Sequence, residues 1–418
     1  MTSQPAERFE LVTIRLPVVW TFLGLVAGLA LGALLGQTAF IDRILVVSEP
    51  IGTLWLRALQ MTIIPLVASL LVLGIAQMVG AARAGAAARR FVTLVFIILI
   101  ASGLTTAVLM PLLLEVFPIP TSAVGFLSEV PEGEQQLPGL GDFVTSLVAS
   151  NVIAAAADTA MLPLTIFFAV LAIAITRLPE GQRASLLGLF HALGNAMLII
   201  IGWVLWVAPI GVFALALGVA ARSGGGAFAA LAHYILVVSA MGLVVLFGAY
   251  LVAFFVGRKS PLAFAQAMIP AQAVALSTQS SLASLPAMLD SSNRLGLRQS
   301  TSEFVLPLAV AVFRATSPAM NMAVAVYVAH LAGVTLNPML LAAGIAVAFI
   351  ISIGSVSLPG SISFVISVGP IALAMGVPIE PLALLVAVEM LPDIMRTLGN
   401  VTMNVAVASA VDRVGPAD

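Results

Sequence analysis

Residues 389–404, EMLPDIMRTLGNVTMN, place two carboxylates, an arginine and several amides and hydroxyls inside a segment that otherwise predicts a membrane-spanning helix. Apolar runs flank this segment on both sides, at residues 382–388 and 405–411. Because one charge at the bilayer centre costs about 3 kcal/mol, these polar groups must face protein, water or a bound ligand. On a helix that turns about 100° per residue, six of them share an arc of roughly 100°: Glu389, Asp393, Arg396, Thr397, Asn400 and Asn404.

The composition extends the membrane interpretation from this segment to the whole chain. Hydrophobic residues make up 61% of the 418 residues and charged residues only 8%, whereas soluble domains carry about 25% charged residues. We therefore predict an all-α polytopic membrane protein that forms a single membrane domain over residues 1–418. The absence of cysteine excludes disulfides, thiolate metal sites and cysteine nucleophiles. The formal net charge of -1 gives no sign of a nucleic-acid partner.

Apolar segments that meet the length of a bilayer span, about 20 residues, form two groups. Several exceed a minimal span, so we expect tilt or breaks. Basic residues follow the second, fourth and sixth segments, and the loop at residues 118–141 is acidic, which predicts a cytoplasmic N-terminus. The first apolar run indicates a retained helix in the cell inner membrane or plasma membrane rather than a signal peptide. The conventional segments are 16–36, 44–79, 91–117, 143–176, 192–221 and 227–256.

The last third of the chain contains two hydrophobic segments that are broken near their middle. Segment 261–290 is interrupted by STQSS at residues 277–281, and segment 338–375 by SIGS at residues 352–355; a Ser-Leu-Pro tripeptide follows each interruption. Irregular backbone at membrane depth survives only where it is buried or lines a cavity. An apolar helix with a buried arginine, Arg314 or Arg396, is predicted after each broken segment. A matched pair of this kind indicates a transporter built from inverted repeats.

Several motifs resemble the dicarboxylate/amino acid:cation symporter family, which includes the glutamate transporters. They are APIGVFA at 208–214, the serine-rich tip at 277–286, FVLPL at 304–308, the tip at 352–360 and DxxRTxxNV at 393–401. The resemblance covers nearly the whole chain. It implies eight transmembrane helices plus two re-entrant helical hairpins, a homotrimer in the lipid bilayer, and no enzymatic activity. It also implies an elevator motion of a transport core, mainly 91–117 and 227–412, against scaffold helices, mainly 16–79 and 143–222.

The resemblance implies a site for a small anionic solute between the last helix and the two hairpin tips. Asp393 and Asn400 would hold an amino group, Arg396 the distal carboxylate, and Thr397 would assist. A guanidinium fork independently matches a carboxylate, and helix N-termini at the tips favour anions. Asp393, where dicarboxylate carriers usually have serine, favours cation-coupled symport of aspartate or glutamate over a C4-dicarboxylate. The other expected substrate-binding residues are Ser280, Ser281, Ser317, Leu358, Pro359 and Gly360.

Two positions depart from the family's sodium-binding pattern. The chain has FRATS at 313–317 where the family usually has NMDGT, and Asn404 where it usually has aspartate. Hard cations favour carboxylates, so two sodium sites are expected to be weakened or lost, and no metal site is predicted with confidence. No organic cofactor is expected, and Na+ and H+ both stay open as coupling ions. The predicted coupling residues are Arg314, Glu389, Asn404, Ser352, Ile353 and Ser355.

We hypothesise that Arg314 partly stands in for a lost sodium ion, with proton coupling through Glu389 or Asp393. Simpler interpretations stay open beside this one. In these interpretations, Asp393 and Arg396 form only a structural ion pair and the serine-rich tips are only helix kinks. His233 and His330 are then satisfied polar side chains.

Alternative functions also stay open. One is a sodium-independent or proton-coupled carrier of another carboxylate solute. Another is an intramembrane enzyme, although no His-Glu-x-x-His motif or nucleotide-binding loop is present. A channel is disfavoured because paired hairpins suit alternating access.

Overall fold

The computed structural model describes residues 17–36, 38, 40–82, 85–120, 145, 147–223, 226–354 and 360–413. All regular secondary structure in these residues is helical, which confirms the predicted all-α membrane fold. Apolar helices within them are long enough to cross a bilayer several times, although the number of spans stays a prediction. The five longest candidates are Ile41–Gly80, Ala86–Val116, Glu180–Trp206, Phe228–Val256 and Gln299–Leu331.

Breaks divide three of the predicted spans in the first half of the chain. Turns at Met61–Thr62 and at 158–160 interrupt the second and fourth spans. The predicted bounds 192–221 were wrong, because one helix starts at Glu180 and a second begins at Ala208, next to Pro209, which has no N–H to donate. The helices are α1 (Val18–Leu35), α2 (Ile41–Gln60), α3 (Ile63–Ala82), α4 (Ala86–Val116), α5 (Val152–Ala157), α6 (Met161–Ile175), α7 (Glu180–Trp206) and α8 (Ala208–Ser223).

Helix α1 packs lengthwise against α8 through four glycines spaced four residues apart. A Cβ atom at any of them would lie within 3 Å of a backbone oxygen of α8, so only glycine permits this approach. The indole N–H of Trp55, on α2, donates to the carbonyl of Val204 at 2.9 Å and ties α2 to α7. The Trp55 ring also packs against Gly211 of α8, so α1, α2, α7 and α8 form one packed group. The four glycines are Gly24, Gly28, Gly32 and Gly36.

Both predicted interruptions fall in the second half of the chain, and the structure describes one of them. The first is a turn that begins at Gln279, in the left-handed region with φ of 50°. The second was predicted at residues 352–355, but residues 352–354 belong to α14, and Ser355, Leu358 and Pro359 are outside the described residues. The helices are α9 (Gly226–Leu251, followed by a π-helical turn Val252–Val256), α10 (Pro261–Thr278), α11 (Leu285–Arg294), α12 (Gln299–Val312), α13 (Thr316–Leu331), α14 (Pro338–Gly354), α15 (Gly360–Ala374), α16 (Leu382–Leu385) and α17 (Met390–Asp412).

Helix α17 lies at the centre of this second half. It packs against α9, α10, α12 and α13, and its side chains from Thr402 to Val411 are all buried. At its C-terminal end, Asp412 accepts from the Arg298 guanidinium, with Nε 2.9 Å from Oδ1. The polar residues of α17 are therefore enclosed by neighbouring helices.

Candidate functional site

The polar face predicted from residues 389–404 points into the protein. All six of its side chains are buried, from Glu389 at 0% exposure to Asp393 at 7%. Glu389 precedes α17 instead of lying on it, but its backbone (φ -58°, ψ -24°) continues the helical path. The expectation that this face avoids lipid is therefore confirmed for the described residues.

Arg396 is the centre of the site, and protein side chains engage its guanidinium group from three directions. Nη2 donates to Glu389 Oε1 at 2.5 Å, and Nη1 donates to Asn321 Oδ1 at 2.6 Å. Nε lies 3.2 Å from Asp393 Oδ1. The predicted structural ion pair between Asp393 and Arg396 is thus present, as one part of a larger cluster. Charge-assisted bonds of this kind are about twice as strong as neutral ones.

Glu389 is held through both carboxylate oxygens. The hydroxyl of Tyr234, on α9, donates to Oε2 at 3.1 Å, while Oε1 accepts from Arg396. Tyr234 is fully buried. The position of the Glu389 carboxylate therefore depends on α9 as well as on α17.

Asn400 holds the start of α13 against α17. Its Oδ1 accepts from the backbone N–H of Thr316 at 3.0 Å and lies 2.9 Å from the Thr316 hydroxyl. Gly399 makes this approach possible, because a Cβ there would collide with the Thr316 methyl group. The amide predicted to hold a substrate amino group thus has a structural partner as well.

Arg314 lies in the break between α12 and α13, and not on a helix as predicted. Phe313 is extended (φ -124°, ψ 119°), which ends α12. The Ser102 hydroxyl of α4 donates to the Ala315 carbonyl at 2.7 Å, so this backbone group is satisfied at membrane depth. The Arg314 Nε is buried and has no hydrogen-bond partner among the described residues.

The remaining coupling candidates differ in their surroundings. The Ser352 hydroxyl is buried and donates to the Ala348 carbonyl at 2.6 Å, and the Ile353 side chain packs in the apolar core. Both amide atoms of Asn404 are buried without a hydrogen-bond partner in the described part of the chain. Asn404 thus keeps unused polar capacity where the family usually has a carboxylate.

The contacts described for the first hairpin tip join residues that are close in sequence. Ser280 and Ser281 are partly exposed, and the Ser280 hydroxyl accepts from the N–H of Ala283 at 3.2 Å. Ser317 is buried and accepts from the Asn321 side chain at 2.9 Å. Gly360 is the first residue of α15. Closure of the two tips over a substrate therefore stays a prediction.

Sequence reasoning missed three residues that hold the site: Tyr234, Thr316 and Asn321. Asn321 follows Ser317 by four residues, a spacing that places both on one helix face. Tyr234 is one of only three tyrosines in the chain, and it stands in an apolar helix. Both features were visible in the sequence, but their partners on α17 were not.

Comparison with known proteins agrees with these features. Residues 18–414 match the model of the sodium:dicarboxylate symporter family. The chain is 27% identical to the proton/glutamate-aspartate symporter of Escherichia coli (strain K12), over 94% of this chain and 91% of that protein.

Two further relatives have similar coverage of this chain. The proton/sodium-glutamate symport protein of Bacillus subtilis (strain 168) is 26% identical over 94% of this chain and 91% of its own length. The neutral amino acid transporter B(0) of Oryctolagus cuniculus is 28% identical over 92% of this chain and 77% of its own length. The resemblance inferred from the motifs is confirmed: this multi-pass membrane protein belongs to the sodium:dicarboxylate symporter family.

Proposed function

We propose that this protein is a proton-coupled symporter of an acidic amino acid, glutamate or aspartate. The observation that carries the proposal is the buried pair between the Arg396 guanidinium and the Glu389 carboxylate. The Glu389 carboxylate thus binds the Arg396 guanidinium, which is the group whose shape best matches a substrate carboxylate. The names of the Escherichia coli and Bacillus subtilis relatives support both the substrate class and the proton.

Charge balance supports coupling to at least one proton for each substrate molecule. The site contains two carboxylates, Glu389 and Asp393, and two guanidinium groups, Arg314 and Arg396, so its formal charge is zero. An acidic amino acid brings a net charge of -1 into a region where unbalanced charge is costly. Protonation of Glu389 restores neutrality. It also removes the attraction that keeps Arg396 on Glu389.

In this proposal each residue of the site has a separate role. The proton goes to a carboxylate oxygen of Glu389, and Arg396 exchanges Glu389 for the distal carboxylate of the substrate. Asp393 and Asn400 take the ammonium group, and Thr397 lies one residue after Arg396 on the same buried face. Release of the substrate returns Arg396 to Glu389 once the proton has left. The empty carrier is thus stabilised by its own carboxylate.

The same proposal assigns a minor role to sodium. Asn404 lacks the negative charge that a hard cation favours. The Arg314 guanidinium interacts electrostatically with Asp393, which supports its role as a partial substitute for a bound cation. Ser352, Ile353 and Ser355 would contribute only backbone oxygens to a remaining cation site.

We further propose an elevator mechanism in a homotrimer of the cell inner or plasma membrane. The tight packing of α1 on α8 supports a rigid scaffold. The packing of α9 on α17, and of α4 on α13, supports a separate transport core. In this proposal the scaffold comprises mainly residues 16–79 and 143–222, and the transport core mainly residues 91–117 and 227–412. A cytoplasmic N-terminus stays part of the proposal.

Uptake into proteoliposomes tests the proposed function. Labelled L-glutamate should accumulate when the outside is more acidic, with or without a sodium gradient, and protons should enter together with it. Glu389→Gln should retain exchange of labelled for unlabelled glutamate but lose accumulation driven by a pH gradient. Strict dependence on several sodium ions, or full proton-driven accumulation by Glu389→Gln, would refute the proposal. Asp393→Ser should shift preference toward malate and succinate.

A neutral amino acid is the second candidate substrate. Glu389 already fills the Arg396 fork, so a substrate without a side-chain carboxylate would leave this pair in place. The similarity to a neutral amino acid transporter supports this alternative. Competition by unlabelled serine and alanine against L-glutamate separates the two. If the neutral amino acids bind more tightly and Glu389→Gln does not change their uptake, the second candidate is correct.

A further inference from the structure

His233 lies next to Tyr234 on α9, at a point where three helices meet. Its Nε2 is 3.0 Å from the carbonyl oxygen of Phe117, the residue that ends α4. Its Nδ1 is 3.2 Å from the hydroxyl oxygen of Tyr327, on α13. That hydroxyl also lies 3.0 Å from the carbonyl oxygen of Ala230, one turn earlier on α9. The imidazole ring thus connects α9 with α4 and α13.

The partners of this ring determine which nitrogen atoms carry hydrogen. A carbonyl oxygen only accepts. The Phe117 carbonyl, at the end of α4, needs a donor, and the Ala230 carbonyl, inside α9, accepts from the Tyr327 hydroxyl. Tyr327 has one hydroxyl hydrogen, which the Ala230 carbonyl takes. Nδ1 of His233 then faces a Tyr327 lone pair and must donate as well. Only the charged imidazolium, with hydrogen on both nitrogens, makes all three bonds at once.

Deprotonation changes one of these bonds. When the Nδ1 hydrogen leaves for solution, Nδ1 becomes an acceptor and Nε2 continues to donate to Phe117. The Tyr327 hydroxyl must then turn from the Ala230 carbonyl to Nδ1. The protonation state of His233 therefore sets the hydroxyl orientation of Tyr327.

The position of His233 suits exchange of a proton with water. Its side chain is partly exposed, and Phe117 is 57% exposed at the end of its helix. The carbonyl groups at a helix C-terminus carry partial negative charge, which favours a cation there. His233 is thus an accessible group beside a helix end, whereas Glu389 is fully buried.

One aromatic contact joins Tyr327 to the site. Its ring packs edge-on against Tyr234, with centroids 5.4 Å apart and an interplanar angle of 72°. Both rings are almost completely buried. The Tyr234 hydroxyl donates to Glu389 Oε2 at 3.1 Å. Tyr327 therefore contacts the side chain that donates to Glu389.

We propose that His233 is a second proton-binding site of the carrier, which exchanges protons with the solution and controls, through Tyr327 and Tyr234, the hydrogen bond to Glu389. The inference rests on the proposed proton coupling through Glu389. His233 is a positioning residue, since it does not touch the substrate groups. The ionisable residues on α9 and the elements that pack against it or precede α17 are Tyr327, Tyr234, Tyr250, His330, Glu115, Arg89, Arg90, Arg222, Glu389, Asp393, Arg396, Asp412 and Arg413.

Nuclear magnetic resonance of the ring nitrogens tests this site without a substrate. The chain has only three histidines, so 15N-histidine labelling in lipid nanodiscs gives few signals, and His233→Gln assigns the relevant ring. Between about pH 5 and pH 8, His233 should change from two N–H groups to one. This change should differ from that of the wild type in Glu389→Gln, which removes a negative charge, and in Tyr327→Phe, which removes the Nδ1 acceptor.

His330 is the internal control, because its Nδ1 faces only the Val326 carbonyl of its own helix. Its titration should be the same in both variants. The proposal is overturned if the His233 ring keeps a single hydrogen throughout this range. It is also overturned if the His233 titration is identical in the wild type, Glu389→Gln and Tyr327→Phe.

Transport separates failure of this inference from failure of the proposed function. His233→Gln keeps a donor and an acceptor but does not titrate, so L-glutamate uptake should persist with a flatter pH profile. His330→Gln should retain the wild-type profile. If His233→Gln also retains it while Glu389→Gln loses proton-driven uptake, only the inference about His233 fails. If Glu389→Gln keeps proton-driven uptake, the proposed function fails, and the titration still decides whether His233 responds to Glu389.

Discussion

Arg314 and Arg396 occupy equivalent places in the sequence, each after a broken hydrophobic segment, but the structure treats them differently. Arg396 lies on the regular helix α17, and its guanidinium contacts Glu389, Asn321 and Asp393. Arg314 lies in a helix break, and its Nε has no hydrogen-bond partner among the described residues. Within the same residues, the Nε of Arg396 lacks a hydrogen bond as well. The two guanidinium groups therefore differ in their charge partners: Glu389 and Asp393 pair with Arg396, whereas Arg314 has no ion pair among the described residues.

The difference teaches how each of the two charges is compensated, since the Arg396 side chain is buried and Arg314 is partly buried. A buried ion pair is costly to break, because removal of one partner leaves the other uncompensated. Arg396 is thus fixed until its partners change charge, which suits a group that responds to a proton. Arg314 has no ion pair among the described residues, which suits a group that compensates charge elsewhere. Stability measurements on matched variants distinguish these two conditions.

Replacement of Arg396 should have the largest effect. Arg396→Ala leaves Glu389 and Asp393 buried without their cation, which should lower the free energy of unfolding by about 4 kcal/mol and abolish binding of acidic ligands. Denaturation in mixed micelles and ligand-induced thermal shifts measure the two effects. Arg294→Ala is the control, because its pair with Asp290 is more than half exposed and should contribute less than about 1 kcal/mol.

Unchanged ligand affinity in Arg396→Ala would show that another group receives the substrate carboxylate. A stability loss no larger than that of Arg294→Ala would contradict the description of Arg396 as a buried, ion-paired charge. Either result would remove the contrast with Arg314.

Replacement of Asn321 should have an intermediate effect. Asn321→Leu removes one acceptor from the Arg396 guanidinium, and a hydrogen bond to a charged group contributes about 2 kcal/mol. Ser317→Ala is the matched control, since it removes only the neutral bond between Ser317 and Asn321, worth about 1 kcal/mol. Chemical denaturation of the two variants measures the difference. Equal losses would mean that the bond from Asn321 adds nothing to the stability of Arg396.

The sequence was sufficient to predict the features of the fold that follow from the free-energy cost of placing polar groups in lipid. An apolar chain with two matched interruptions and a polar stripe at 389–404 admits few arrangements, and the buried face of α17 was predicted correctly. Helix breaks were harder to place. Arg314 was assigned to a helix because its neighbours are apolar, whereas the hydroxyl of Ser102, more than 200 residues earlier in the chain, satisfies the broken backbone.

The partners within the site were also beyond the reach of the sequence. Tyr234 and Glu389 are 155 positions apart, and no periodicity relates them. The glycines of α1 repeat every four residues, but only the structure identifies α8 as the helix against which they pack. Local patterns therefore predicted which groups are buried, and tertiary packing decided which groups they meet.

Replacement of Arg314 should have the smallest effect on stability and the opposite sign. A buried donor without a partner costs about 1–3 kcal/mol, so Arg314→Met, which retains length without the charge, should unfold at the same or a slightly higher denaturant concentration than the wild type. Uptake of L-glutamate should nevertheless fall, because the positive charge near Asp393 is lost. Arg314→Lys, which keeps the charge, should retain more uptake than Arg314→Met. A loss of stability in Arg314→Met as large as that in Arg396→Ala would mean that Arg314 is paired in the membrane, and the two arginines would then be equivalent in structure as well as in sequence.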